Sequence, residues 1–291
     1  MSRAGLRVDP RWPRRRVRSA RPLDAVIEVE SSVNVAHWES LASDWSRSNP
    51  QQLWRLHSDA INRALLERWL PASGLRALLK TDLFDEAFGD GLLPPLVARA
   101  RDVVGIDVAT GVIEAARSRA PRLVGVRSDV RHLPFADNAF DAVVSISTLD
   151  HFETRAEIDA SLAEIFRVLA PGGRFVLTLD NAVNPVVALR NALPFRALRA
   201  VGLVPYFVGA TYGPQGVRRA LLSTGFRILD SAATFHCPRV LAVPLAASVQ
   251  RRGGERARRV LARSLYGFEK LARLPTRYLT GHFVAVLAEK A

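Results

Sequence analysis

One segment of this 291-residue chain stands out: Leu83-Phe84-Asp85-Glu86-Ala87-Phe88-Gly89-Asp90-Gly91. The apolar run that begins at Leu78 predicts a strand ending at Asp85, and a helix is expected to begin near Leu92. Small residues in such a turn let the backbone approach a ligand closely, and glycine tolerates a positive φ. The first amides of the helix would then face that ligand. The spacing is Ala-x-Gly-x-Gly, so the Gly-x-Gly-x-x-Gly pattern of dinucleotide sites is not met.

Strand-like and helix-like runs alternate over the next hundred residues. Strands are predicted at 102–107, 123–128, 140–145 and 174–179, and helices at 92–100, 110–120 and 155–169. Thr110 is placed to cap its helix, and Pro94 and Pro95 fit a first helical turn. Near-continuous apolar strands predict a parallel sheet that is covered on both faces. Right-handed crossovers then give a doubly wound α/β fold.

Further helices and strands flank this core. Tryptophan and leucine at helical spacing predict a helical segment over residues 34–70, either packed on the domain or acting as a lid. Helices are also expected at 185–204, interrupted by Pro194, at 213–224, closed by Gly225, and over most of 238–273. Strands are predicted at 226–229 and 283–288.

The net charge of +13 is concentrated in two segments. Residues 1–22 contain eight Arg, and residues 246–273 contain seven Arg and one Lys. A solvated tail and codon bias explain them, and RNA or an anionic membrane is the alternative. The longest apolar stretch, Val240 to Val249, is too short to span a bilayer. Cys237 is the single cysteine, so no internal disulfide is possible, and we expect a cytoplasmic protein.

Two aspartates follow predicted strands at the edge where ligands bind in open α/β sheets. Asp107 could accept hydrogen bonds from both hydroxyls of a ribose, or could cap the following helix. Asp129 could accept from the amino group of an adenine, with Val108 or Val130 against the ring. Each residue alone is weak support for a nucleoside site.

Two later motifs add specificity: Leu133-Pro134-Phe135 with Phe140-Asp141, and Arg167-Val168-Leu169-Ala170-Pro171-Gly172-Gly173. With the first turn and Asp107, they make the chain resemble the class I S-adenosylmethionine-dependent methyltransferases, in particular the widespread small-molecule group. The resemblance covers residues 79–180 well, and Gly225-Phe226 and 283–288 loosely. It implies a Rossmann-like seven-stranded sheet whose last strand is antiparallel, and S-adenosylmethionine as the cofactor.

The resemblance also implies roles for residues and segments. Asp85, Gly89 and Gly91, with Ala87 where the family usually has glycine, would surround the methionine part of the cofactor. Asp107 would hold the ribose and Asp129 the adenine, while Ser145 and Ile146 would lie near the sulfonium. We expect a disordered basic tail at 1–33, a helical lid at 34–72 and the methyltransferase domain at 73–291. Within that domain, 78–180 would form the cofactor half, and 181–215 with 232–281 the substrate side.

Methyl transfer to a hydroxyl of high pKa is helped by a general base. His151 is the first candidate because it follows the fourth strand closely, although packing at the next helix would also explain it. His236 and Tyr212 are the second and third candidates, and His282 reads as structural. No metal site is expected because the six histidines are scattered, and no sequence pattern supports Cys237 as a nucleophile.

The segments outside the core are rich in Trp, Phe, Leu and Pro. They favour a small, partly apolar acceptor, with oxygen ahead of nitrogen and carbon. A nucleic-acid partner is not expected: the fourth strand continues as Ser145-Ile146-Ser147-Thr148, not as an Asn/Asp-Pro-Pro-Tyr/Phe tetrapeptide. Two alternatives stay open: a binding protein of this fold without turnover, and a methyltransferase guided to RNA or lipid by the Arg-rich segments. A nicotinamide-dependent oxidoreductase is disfavoured by the glycine spacing.

Overall fold

A computed structural model describes residues 51–194 and 209–291, and its centre is a seven-stranded sheet. The strands are β1 (Leu75–Lys80), β2 (Ala100–Asp107), β3 (Leu123–Arg127), β4 (Phe140–Ile146), β5 (Leu169–Asp180), β6 (Phe226–Thr234) and β7 (Phe283–Lys290). Their order is β3-β2-β1-β4-β5-β7-β6, and β7 runs antiparallel to both of its neighbours. This confirms the predicted doubly wound, mostly parallel sheet with an antiparallel last strand.

Helices cover both faces of the sheet. They are α1 (Gln52–Trp69), α2 (Phe84–Phe88), α3 (Leu93–Arg99), α4 (Thr110–Arg119), α5 (Arg155–Val168), α6 (Pro185–Ala192), α7 (Pro214–Thr224), α8 (Arg239–Arg252), α9 (Glu255–Gly267) and α10 (Arg277–Thr280). Short 3₁₀ turns lie at Leu149–His151 and Phe268–Arg273. Residues 1–33, the first part of the expected lid (34–50), and the second half of the expected 185–204 helix lie outside the described residues.

The alternating side chains of the strands build two apolar layers. Leu79 of β1 faces a layer that includes α5 and α7, whereas its neighbour Leu78 faces a layer with α1, α3 and α4. A third apolar cluster joins Trp54 of α1 to Phe235, Phe283, α8 and α9. This third cluster lies against the end of the sheet where the candidate site is found.

Local sequence signals explain where several helices begin and end. α5 starts with a capping box, in which the Glu157 amide donates to Thr154 Oγ1 (3.3 Å) and the Thr154 amide donates to Glu157 Oε2 (2.9 Å). α7 ends at Gly225, whose φ of 106° is the left-handed conformation that closes helices. Pro94 lies in the first turn of α3, as predicted.

Several predicted boundaries are wrong. β1 ends at Lys80, not at Asp85, because Phe84–Phe88 turns into a short helix immediately after the strand. β6 continues to Thr234 because β7 pairs with it along its whole length. Thr110 does not cap α4, since the helix already includes it and the residue before it is Ala109.

The Arg-rich segment 246–273 forms the end of α8, α9 and the following 3₁₀ turn, with most of its arginines exposed. In the part of the chain that the structure describes, no helix combines the length and the apolar character needed to cross a membrane.

Candidate active site

A cavity of about 190 Å³ lies at the carboxyl ends of the parallel strands. Its floor comes from the strand tips, including Thr81, Asp82, Asp107, Val108, Ser128, Asp129, Val130, Ile146, Ser147, Thr148 and Thr178. Its walls and roof come from Gln51 and α1, the start of α2, His151, Phe152, and the cluster of Phe235, Arg239 and Phe283. β1 and β4 are neighbours in the sheet but far apart in sequence, so the cavity lies at the topological switch point where such sheets bind ligands.

The turn after β1 is built around a buried lysine. Lys80 is 2% exposed, and its Nζ lies 2.9 Å from Glu86 Oε2 and 3.1 Å from Asp82 Oδ1. Burial alone would lower the pKa of Lys80, but Asp82 and Glu86 raise it above its usual range. The other oxygen of Asp82 accepts a hydrogen bond from Thr148 Oγ1 (2.9 Å), which links the tips of β1 and β4. The residues after β1 that line the cavity are therefore Thr81 and Asp82, followed by Phe84 and Asp85.

The structure does not bring Ala87, Gly89 and Gly91 to the cavity. Ala87 packs in the apolar layer beneath α2, and Gly89 follows that helix in extended conformation. Gly91 has a φ of 50°, and a Cβ built on it would lie 2.5 Å from Glu86 Oε1. These small residues therefore shape the loop around the buried carboxylate. Because β1 ends earlier in the sequence than predicted, this wall of the cavity is built from residues that precede Ala87, Gly89 and Gly91.

Asp85 remains at the cavity, on the first turn of α2. Burial, together with the negative charges of Asp59 and Asp82, raises the pKa of Asp85 to about 6. Lys80 and Arg55 oppose that shift. A cationic ligand group at this place would favour the ionised carboxylate.

Asp107 lies at the tip of β2 and is half-buried. Its Oδ2 accepts from the Leu83 amide (3.1 Å) and its Oδ1 from the Ala109 amide (3.0 Å). Burial nevertheless raises the pKa of Asp107 to about 7. Each oxygen keeps a second lone pair, so the carboxylate can still accept hydrogen bonds from a ligand in the cavity.

Asp129 lines the cavity but is already engaged by its own neighbour. Its Oδ2 lies 2.6 Å from Arg131 Nη2, and the Arg131 amide donates to its Oδ1 (2.8 Å). Arg131 also reaches Glu157 Oε1 at 2.5 Å. Asp129 therefore anchors the loop after β3, and Val130 beside it also lines the cavity.

At the tip of β4, Ile146, Ser147 and Thr148 line the cavity, whereas Ser145 is completely buried and does not. Ser147 has a φ of 50°, a strained conformation for a residue other than glycine. Its hydroxyl donates to Asp150 Oδ2 (3.0 Å), and its amide donates to Thr178 Oγ1 (3.0 Å). These bonds fix the turn that brings His151 to the cavity.

Of the three candidate bases, the structure places only His151 at the cavity. Tyr212 donates its hydroxyl to Asp159 Oδ1 (2.9 Å), and burial and Asp159 raise its pKa to about 12. Both ring nitrogens of His236 have partners, Thr280 Oγ1 at 2.7 Å and the Ala233 carbonyl at 3.1 Å. Tyr212 and His236 therefore stabilise the fold around the site.

Sequence reasoning missed several lining residues. Asp82 lies three positions before the predicted strand end at Asp85, so an earlier strand end would have found it, and Thr148 lies two positions after Ile146, the last residue predicted at the tip of the fourth strand. Trp54 and Arg55 lay in the predicted lid, which is now seen to contribute α1 to the cavity. Phe235, Arg239 and Phe283 carry no local motif, and only tertiary packing brings them together.

Comparison with known proteins agrees with this geometry. A family model described as a methyltransferase domain matches residues 84–177. An O-methyltransferase of Pyrenophora dematioidea is 27% identical over 252 residues, covering 82% of this chain and 85% of that protein. The demethylmenaquinone methyltransferase of Thermus thermophilus is 32% identical over 174 residues, covering 53% of this chain and 77% of that protein.

A solved structure shows the same fold. An S-adenosylmethionine-dependent methyltransferase from Thermotoga maritima has a TM-score of 0.55 and 15% identity, covering 88% of this chain and 100% of that chain. Other curated relatives match over about half of their length, 54% for the demethylmenaquinone methyltransferase of Beutenbergia cavernae. The sheet order, the cavity at its switch point and these matches agree: the chain belongs to the class I S-adenosylmethionine-dependent methyltransferases, enzymes that use S-adenosylmethionine as methyl donor.

Proposed function

We propose that this enzyme methylates a hydroxyl oxygen of a small, partly apolar molecule. The observation that carries the proposal is the position of His151 in a cavity whose walls include Trp54, Phe152, Phe235 and Phe283. A concave space of this size with aromatic walls suits a small acceptor better than a polymer. The name of the Pyrenophora dematioidea relative, an O-methyltransferase, agrees with an oxygen acceptor.

The residues at the cofactor end fit S-adenosylmethionine. The Asp107 carboxylate lies where it can accept from ribose hydroxyls, and Val108 and Val130 offer apolar surface for the adenine. Asp82 and Asp85 suit the ammonium group of the methionine part, and Arg55 beside them suits its carboxylate. Because Asp129 is bonded to Arg131, we assign it a supporting role in this proposal and not the main contact to the adenine.

When bound, S-adenosylmethionine supplies a methyl group activated by the sulfonium. Transfer of that group would form an O–C bond to the acceptor as the C–S bond of the donor breaks, with S-adenosylhomocysteine, a thioether, as the second product. His151 takes the hydroxyl proton, which contributes about 10²–10⁴ in rate when a base is well placed. The aromatic walls exclude water and hold the acceptor in line.

Calorimetry with S-adenosylhomocysteine tests the cofactor half of this proposal. We expect binding to the full chain and a loss of about 1–3 kcal/mol in the Asp107→Ala variant, because charge-assisted hydrogen bonds to the ribose are removed. Arg131→Ala serves as a comparison that disturbs the adjacent loop without touching Asp107. Equal affinity in the wild type and Asp107→Ala would refute the assignment of Asp107.

Kinetics of a His151→Ala variant test the acceptor half, once a screen of hydroxylated acceptors has found a substrate. We expect kcat to fall at least a hundredfold while affinity for S-adenosylhomocysteine is unchanged. His132→Ala removes an exposed histidine and should leave kcat unchanged. An unchanged kcat in His151→Ala would show that no base acts at this position.

A further inference from the structure

Helices α8 and α9 form a hairpin over the roof of the cavity. Ala242 of α8 and Leu261 of α9 are both buried in the apolar cluster that contains Trp54. The two helices also contact each other, because Arg258 Nη2 donates to the Gln250 carbonyl (3.1 Å). Their exposed sides therefore point away from the cluster together and form one surface. We call this surface the α8–α9 face, and the residues that define it are Leu241, Leu245, Arg256, Arg259, Val260 and Arg263.

The outer side of α9 is strongly basic. Arg256, Arg259 and Arg263 are exposed and lie three or four positions apart, so the helical repeat of about 3.6 residues places them in one row. Within the described residues, none of these three guanidinium groups has an ion pair with a carboxylate. Arg68, which is also exposed, is paired with Asp230 at 2.6 Å. The row on α9 therefore presents positive charge that the described part of the fold does not neutralise.

The acidic residues of the same segment do little to offset this charge. Residues 246–273 contain seven Arg and one Lys against two Glu. Glu269 is turned to the inner side of the hairpin, where it accepts from the Phe235 amide (3.2 Å) and the His236 amide (2.9 Å). Only Glu255 is left on the exposed side of the segment. The α8–α9 face therefore has the charge expected of a surface that meets an anionic partner.

The outer side of α8 is apolar. Leu241 and Leu245 lie one helical turn apart and are 67% and 51% exposed. Val260 and Tyr266 add apolar surface beside the arginines of α9, with exposures of 57% and 52%. Single exposed apolar residues are common, but large ones on two adjoining helices beside a basic row are typical of a surface that lies on a membrane.

We propose that the α8–α9 face docks this enzyme on the surface of an anionic lipid membrane. Leu241 and Leu245 enter the boundary between headgroups and acyl chains, and the arginines of α9 bind the headgroup phosphates. A guanidinium contacts phosphate oxygens bidentately. RNA offers the same phosphates, but its bases stack on aromatic rings and give exposed leucines no apolar phase to enter. The leucines therefore favour a lipid bilayer as the partner.

This docking goes beyond the proposed methyl transfer and does not depend on it. The first residue of α8 is Arg239, which lines the cavity, and Leu241 lies two positions further on. The apolar end of the α8–α9 face therefore adjoins the cavity roof. A partly apolar acceptor that dissolves in the bilayer would be held close to the cavity.

Flotation of the full chain with lipid vesicles tests the proposal. One set of vesicles contains phosphatidylcholine alone, and the other contains phosphatidylcholine mixed with anionic phosphatidylglycerol. We expect at least about tenfold tighter binding to the anionic vesicles, and weaker binding as the salt concentration rises. Equal binding to both sets of vesicles, or binding to neither, overturns the proposal.

Two variants with the same net charge separate the α8–α9 face from general electrostatic attraction. The first carries three substitutions on α9: Arg256→Gln, Arg259→Gln and Arg263→Gln. The control carries the same change at three exposed positions elsewhere: Arg122→Gln, Arg218→Gln and Arg219→Gln. We expect the first variant to lose at least about tenfold in affinity for anionic vesicles and the control to bind like the wild type. Residues 1–22, with their eight Arg, are the same in both, so equal affinity of the two variants overturns the proposal.

A further variant tests insertion without changing the charge. Leu241→Gln with Leu245→Gln keeps good helix formers at exposed positions, so the fold should be retained. We expect a loss of at least about fivefold in vesicle affinity, because apolar area no longer enters the membrane. Leu222→Gln, at an exposed position of α7, should bind like the wild type. Unchanged vesicle affinity in the folded double variant overturns insertion; should it fail to fold, the arginine variants still decide.

Titration with polyuridylate at the same salt concentration distinguishes RNA from lipid. We expect the arginine variant of α9 and its control to bind polyuridylate equally. A loss of RNA affinity in the α9 variant without a loss of vesicle affinity would assign the face to RNA and overturn the membrane proposal. Absence of S-adenosylhomocysteine binding would refute the proposed methyl transfer and leave the vesicle results standing, so the two proposals fail separately.

Discussion

At the residue scale, Asp107 has a structural role and lies at the cavity, where we propose that it binds the ribose. Its two oxygens tie the turn after β1 to the start of α4 through the Leu83 and Ala109 amides. The same carboxylate lines the cavity, and its burial raises its pKa to about 7. On this proposal, the ionisation state of the Asp107 carboxylate couples the local fold to ligand binding.

This pKa predicts a pH dependence of cofactor affinity. Ribose hydroxyls donate better to an ionised carboxylate, so affinity for S-adenosylhomocysteine should weaken as pH falls through about 7, by up to tenfold per pH unit. Calorimetry between pH 5.5 and 8.5 measures this, and Asp107→Asn should show weaker affinity without the step near pH 7. If the affinity of Asp107→Asn for S-adenosylhomocysteine fell equally as pH decreased through 7, the titrating group would be another one, such as Asp85 with its pKa of about 6.

The same shift has the opposite effect on the ligand-free fold. Between about pH 4, where a solvent-exposed aspartate titrates, and pH 7, the folded protein retains a proton that the unfolded chain has lost. Rising pH therefore lowers the contribution of Asp107 to the free energy of unfolding across this window. Ligand binding recovers that loss because it favours the ionised carboxylate.

At the element scale, the junction of β1 and α2 depends on the buried pair of Lys80 and Glu86. Glu86 is completely buried; its Oε1 accepts from the Leu92 amide (3.0 Å) and its Oε2 lies 2.9 Å from Lys80 Nζ. A buried charge needs such partners, since an unpaired one is strongly destabilising. The loop around Gly91 closes over this carboxylate, which explains why glycine is needed there.

Replacement of Gly91 by alanine should therefore destabilise the fold. The positive φ costs about 1–2 kcal/mol, and the added Cβ, 2.5 Å from Glu86 Oε1, displaces a carboxylate held by two partners. We expect a loss of about 2–4 kcal/mol in urea unfolding, with cofactor affinity of the folded protein nearly unchanged.

Gly89→Ala is the matched control for that prediction. Gly89 is extended, and a Cβ there meets only ordinary contacts, the nearest being the Asp85 carbonyl at 3.6 Å. Its stability should change by less than about 1 kcal/mol. Normal stability with lost cofactor binding in Gly89→Ala would instead show that this glycine approaches the ligand.

At the scale of the whole molecule, the cavity has a floor and a roof that come from different parts of the fold. The parallel strands β1 to β4 supply the acidic floor, whereas α1 and the segment around Phe235, Arg239 and Phe283 supply the roof. The C-terminal end of α1 is fixed to the sheet, because Trp69 Nε1 donates to Asp230 Oδ2 (2.9 Å) and Arg174 Nη1 to the Trp69 carbonyl (2.6 Å). The N-terminal half of α1 lies over the cavity.

Ligand binding should therefore stabilise the roof. At a hundred times its Kd, S-adenosylhomocysteine should add about 2.7 kcal/mol to the free energy of unfolding and raise Tm by about 5–10 °C. Hydrogen exchange should slow in the N-terminal half of α1, where Trp54, Arg55 and Ser58 line the cavity. α7 packs on the sheet away from the cavity and should show the smaller change. Equal protection of both helices would indicate global stabilisation without closure by α1.

The sequence by itself determined the central sheet of this protein and the helices between its parallel strands. Periodic apolar runs and their breaks predicted the parallel strands, the helices between them and the position of Asp107 at a strand tip, because these patterns report local conformation and burial. The resemblance carried by Pro171-Gly172-Gly173 and the neighbouring motifs then implied the cofactor and the antiparallel β7, and both were confirmed.

Only the tertiary structure decided which side chains meet at the cavity. Asp82 and Thr148 line the cavity, and the predicted glycines after α2 do not. Of the three candidate bases, His151 lies at the cavity, whereas His236 and Tyr212 lie away from it. The tertiary structure also brought Trp54 and Arg239 together from positions 185 residues apart. The physical reason is that local periodicity fixes which face of an element is buried, whereas long-range packing fixes what that face is buried against.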